Sequence, residues 1–82
     1  MDLDKAANAH RGALARLEEV KKANAERLRA ARDRVEATRA ELAAAIAEAY
    51  LAGDRVGDLA TRASYSRETV RVILRQAGIE PD

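Results

Sequence analysis

The sequence predicts an all-α protein, with a long N-terminal coiled-coil helix continuing into a trihelical helix-turn-helix module. Three observations predict it. Residues 13–52 contain no glycine or proline and consist mostly of Ala, Glu, Arg and Leu, the strongest helix formers. The apolar residues of this stretch recur near a period of 3.5. Beyond Gly53 the pattern breaks into two short helical segments that meet across only three residues, Ser64-Tyr65-Ser66.

The first element is therefore a helix covering at least residues 13–52, with Asp2 or Asp4 available as its cap. Gly12 costs about 1 kcal/mol relative to alanine inside a helix, so the first dozen residues are expected to fray. Forty residues would extend roughly 60 Å, more than a small globule needs, and such a helix wants a partner. With Leu3 counted as heptad position d, the a positions are Ala7, Leu14, Lys21, Leu28, Val35, Leu42 and Ala49. The d positions are Leu3, His10, Leu17, Asn24, Ala31, Thr38 and Ala45. Leu14, Leu17, Leu28, Val35 and Leu42 form the stripe expected to carry self-association, and Lys21, Asn24 and Thr38 interrupt it. In a parallel pair Arg27 would face Arg32 and Arg34 would face Arg39, an unfavourable arrangement. An antiparallel pair would bring Glu18 and Glu41 nearer the arginines. Orientation and oligomer number stay open at this level. The five arginines at 27, 29, 32, 34 and 39, against Asp33 and Glu36, are either a solvated face or a surface for phosphates.

Gly53-Asp54 ends this helix. Ile46 and Tyr50 leave the a/d seam near Leu42 to Tyr50 and are expected to turn toward Leu59, Val70 and Leu74. A second helix begins at Val56 and a third at Arg67. Ala60 is small enough for two helices to cross beside it, and Leu59, Ala63, Tyr65, Val70 and Ile73 fall at inward positions. Ser66 is suited to cap the third helix, with Glu68 in its first turn. Gly78 suits the left-handed position after its end, Ile79 can fold back, and Pro81 forbids continuation. The tight corner would set the last helix at a steep angle, with one face outward.

The stretch "VGDLATRASYSRETVRVILRQA" resembles the helix-turn-helix of lac-repressor-type regulators. With "ELAAAIAEAYLAG" as a preceding helix, residues 41–79 also resemble homeodomain-like modules such as the C-terminal DNA-binding domain of Hin-type recombinases. Residues 1–40 are then a coiled-coil oligomerisation helix and residues 41–82 the DNA-binding module. Nothing resembles the effector or catalytic domains of those families. Where the helix-turn-helix pattern usually carries a turn glycine this chain has Ser64, which must accept an unfavourable backbone conformation unless the turn differs.

The resemblance implies base reading by Arg67, Glu68 and Val72, with Arg71 beside them reading a base or binding a phosphate. Arginine can engage guanine O6/N7, glutamate can accept from cytosine N4, and valine can touch a thymine methyl. Phosphate contacts are expected from Arg55, Thr61, Arg62, Tyr65, Ser66, Arg75 and the N–H groups near Gly57.

Composition bounds the alternatives. Eighty-two residues with two tyrosines, no Phe, no Trp and twenty alanines cannot enclose a deep cleft. Ser64, Ser66 and Thr69 have no base nearby, Asp54 and Asp58 read as capping residues, and His10 lacks partners at metal-ligand spacing. No enzyme activity, metal, cofactor or small-molecule substrate is expected. The absence of cysteine and of a long apolar run points to a cytoplasmic setting without membrane contact, and the resemblance to DNA-binding modules implies a nucleoid-associated one. The expected partners are double-stranded DNA and a further copy of the chain. The expected role is a small transcriptional regulator or accessory DNA-organising protein. Because the net charge is +1 and residues 54–82 carry five arginines against five acids, the rival is a coiled-coil interaction protein whose C-terminal helices dock a protein.

Overall fold

A computed structural model describes residues 2–81. It is all-helical, with three helices in the order α1 (Leu3–Leu51), α2 (Val56–Ala63) and α3 (Arg67–Gln76). None of them is long and apolar enough to cross a membrane. The chain divides into two compact units, Met1–Arg34 and Val35–Asp82, and α1 contributes to both.

The expectation of a frayed first dozen residues is corrected, since α1 is helical from Leu3 through Gly12. The Oδ1 of Asp2 accepts from the N–H of Asp4 at 3.0 Å, and its carbonyl accepts from Ala6 N–H. A cap plus alanines at 6, 7 and 9 outweighs one glycine, because each residue added to an existing helix gains a hydrogen bond. Among the described residues of the first unit none is buried. Leu14, Leu17 and Leu28 each leave about half of their surface open.

The second unit has a core. Ile46 from α1, Val56, Leu59 and Ala60 from α2, and Val70 and Leu74 from α3 are buried together, with Val70 and Leu74 wholly so. Leu42, Ala49, Tyr50, Ala63, Tyr65, Ile73 and Ile79 pack around them. Ile46 and Tyr50 thus turn to α2 and α3 as the pattern predicts. Leu42, read from its heptad position as a self-association residue, is half-buried against this core.

All three helices end in the same way. At the end of α1, Gly53 N–H donates to Tyr50 O and Asp54 N–H to Ala49 O, both at 3.0 Å. At the end of α2, Ser64 N–H donates to Thr61 O at 3.4 Å and Tyr65 N–H to Ala60 O at 3.0 Å. At the end of α3, Gly78 N–H donates to Arg75 O at 3.0 Å and Ile79 N–H to Leu74 O at 2.9 Å. Each pair of bonds is a Schellman closure, which satisfies orphan carbonyls when one residue turns left-handed. That residue is Gly53 (φ 115°), Ser64 (φ 59°) and Gly78 (φ 80°) in turn. Two closures use glycine, for which positive φ is free; the third places a serine there, at a cost of about 1–2 kcal/mol.

Candidate nucleic-acid interface

The strained closure at Ser64 produces the tight corner. With ψ 36° beside its φ of 59°, Ser64 reverses the chain within one residue, and Ser66 starts α3 immediately. Ser66 Oγ accepts from Thr69 N–H at 3.0 Å and lies 2.8 Å from the Thr69 hydroxyl. This cap satisfies one of the four N–H groups that every helix start leaves without a partner.

The outward face of α3 follows from its core face. Successive residues rotate by about 100°, so with Val70 and Leu74 inward, Glu68, Val72 and Arg75 lie opposite. Val72 is 41% exposed, large for an aliphatic side chain in a packed module. Arg67 and Arg71 fall on the flank toward α2. Thr69 and Ile73 fall on the other flank, where they line a groove with Glu36, Arg39, Ala43 and Tyr65.

The structure distributes the four predicted base readers between that face and that flank. Arg67 folds back over Gly57, so that a Cβ built on Gly57 would meet its Nη2 at 3.2 Å and its Nε at 3.4 Å. Glu68 is exposed and lies between two arginines, 3.9 Å from Arg71 and 3.5 Å from Arg75. Arg71 is about one-third exposed, and Arg75 also approaches Glu80 at 3.9 Å. Exposed pairs of this kind contribute about 0–1 kcal/mol, so a phosphate or a base edge can displace them readily.

The predicted phosphate contacts are distributed around the corner. Arg55 is exposed immediately before α2. The guanidinium of Arg62 donates to Asp54 at 3.2 Å. The hydroxyl of Thr61 donates to the carbonyl of Gly57 at 3.1 Å. Tyr65 is half-buried against the core and its N–H is taken by Ala60, while the Ser66 hydroxyl is occupied by Thr69. Arg55, Arg62, Arg67 and Arg75 are exposed positive charges around the corner, and Tyr65 and Ser66 shape it. Of the arginines at 27–39, Arg39 lies in the groove beside α3 and donates to Glu36 at 2.9 Å.

Sequence reasoning missed two features. One is the seating of Arg67 on Gly57, which brings the first residue of α3 against the first turn of α2. The other is the chain of charges Arg71, Glu68, Arg75 and Glu80. The spacing of Glu68 and Arg71, three residues apart on a helix, was the available signal. Compared with protein-family models, curated proteins and solved structures, the chain matches none.

Proposed function

We propose that this chain is a sequence-specific DNA-binding protein that acts as a self-associating transcriptional regulator or accessory DNA-organising protein. The observation that carries the reading is the corner itself. A left-handed Ser64 and a capping Ser66 set a short, well-terminated helix beside α2, with Glu68, Val72 and Arg75 facing outward and Arg67 and Arg71 on its flank. A helix presented in this way fits the major groove, and these side-chain types can read base edges or hold phosphates there. The exposed stripe of Leu14, Leu17 and Leu28 supports self-association, since a helix with such a face lowers its free energy by covering it.

A specific observation favours the protein-docking rival. Leu42, Ala45, Ile46, Ala49, Leu59 and Ala63, together with Arg62, line a mostly apolar groove between the end of α1 and α2, on which a partner helix could lie. Binding to random and selected DNA duplexes at several salt concentrations separates the two readings. DNA binding through arginines predicts an affinity that falls steeply with salt, by about one unit of log-log slope per phosphate contact. No binding to duplex at low salt would leave the docking role as the better reading.

A further inference from the structure

We infer that the partner covering the leucine stripe of the first unit is a second copy of this chain lying antiparallel, with Lys21 of each copy opposite Asn24 of the other. The inference rests on the self-association reading above and adds the orientation and register that it leaves open. The stripe is available: Leu14 is 50%, Leu17 48% and Leu28 51% exposed, and no described residue of the unit is buried.

Of the three polar breaks, Lys21 and Asn24, which lie between Leu17 and Leu28, decide between orientations, while Thr38 would face only Ala7 in the antiparallel register. In a parallel, in-register pair each layer faces itself, so Lys21 would meet Lys21 of the other copy within the seam, where water is scarce and like charges repel most strongly. Lysine offers donors only, so this layer has no acceptor between the two copies. In the antiparallel register Lys21 meets Asn24, whose side-chain oxygen can accept from the ammonium. The same register sets Leu17 against Leu28 and Leu14 against Ala31, joining apolar layers to apolar layers on both sides of the axis. Flanking charges do not reverse this preference. The parallel pair brings Arg27 to Arg32 and Arg34 to Arg39, the antiparallel pair brings Arg11 to Arg32, and all these contacts lie at the solvent edge, where such pairs matter little. In the single chain Lys21 pairs with the exposed Glu18, at 3.4 Å, a contact that solvent screens.

The chain has no cysteine, so introduced thiols report position directly. Full-length Leu17→Cys and Leu28→Cys chains, alone and mixed, are treated with a short bismaleimide while wild-type mass is measured by sedimentation. The antiparallel register predicts covalent dimers in the mixture and almost none in either variant alone, because identical positions then lie roughly 17 Å apart along the axis. Glu18→Cys mixed with Ala25→Cys repeats the test with every leucine in place and is expected to link in the same mixed-only manner. Self-linking of Leu17→Cys and of Leu28→Cys, each alone, would overturn the orientation. A wild-type dimer with no linking in either mixture would overturn the register, and a monomeric wild type would overturn the self-association reading with it.

Discussion

Leucines at helical spacing occur in both units of the molecule, and the two units treat them differently. In the first, Leu14, Leu17 and Leu28 each keep about half of their surface open; in the second, Leu59 is 4% and Leu74 0% exposed. Periodicity reveals that a face is apolar, but not who covers it. Around Leu59 and Leu74 the chain supplies its own cover, because Gly53 and Ser64 turn it back twice within a dozen residues. Between Leu14 and Leu28 no turn exists, and the chain folds no cover of its own over that face. Full burial of a leucine is worth about 1.5–3 kcal/mol, and most of that gain is realised in the second unit and deferred in the first.

The sharpest break of this comparison is a matched pair of truncations. Leu74→Ala should destabilise the packed module of the second unit by about 2–5 kcal/mol, the range for large-to-small changes at fully buried sites, which for so small a core means loss of cooperative unfolding. Leu28→Ala should leave the thermal unfolding of that module unchanged, since alanine is the better helix former, and should weaken self-association instead. Thermal melts with sedimentation on both variants check this. Equal losses of module stability would mean that the leucine stripe is already covered within the chain.

A smaller effect is expected where the chain turns. Ser64→Gly should stabilise the module by about 0.5–1 kcal/mol, because glycine removes left-handed strain but enlarges the freedom of the unfolded chain. Gly53→Ala should destabilise by about 1–2 kcal/mol from the backbone alone, as a Cβ there meets nothing within 4 Å. Denaturant titration of both variants measures the pair. A destabilising Ser64→Gly would show that the serine side chain contributes something beyond its backbone shape.

Much of this architecture was legible in the residues. Gly53, Ser66 and Gly78 marked helix boundaries because capping and left-handed termination are local events that need few residues. Val70 and Ile73 marked the inner face of α3 because their spacing admits only one side, and Leu74, toward which Ile46 and Tyr50 were expected to turn, is wholly buried beside Val70, while Ile73 is half-buried. The start of α1 was misjudged, since the local cost of Gly12 is visible in sequence while the cooperative gain of a long helix is spread over many residues. The posture of Arg67 was hidden for another reason. Whether a long, flexible side chain extends outward or rests on Gly57 depends on how closely two helices approach, which no spacing within either helix encodes. The pairing of Glu68 was half visible, through Arg71 on the next turn, while Arg75 and Glu80 needed the folded geometry of the end of α3.

Whether α3 reads bases is decided by selecting preferred sequences from a random duplex pool. Wild-type chain, Arg67→Ala and Glu68→Gln are each used to recover preferred sequences, and their affinities for random duplex are measured alongside. A base-reading α3 predicts a defined wild-type motif. For Arg67→Ala it predicts a loss of about 1–3 kcal/mol on that motif with relaxed preference at one base pair, as for loss of a bidentate contact. For Glu68→Gln it predicts tighter binding to random duplex with a blurred motif, since a carboxylate that repels phosphates and restrains Arg71 and Arg75 has gone. Recovery of one unchanged motif by all three chains would contradict it.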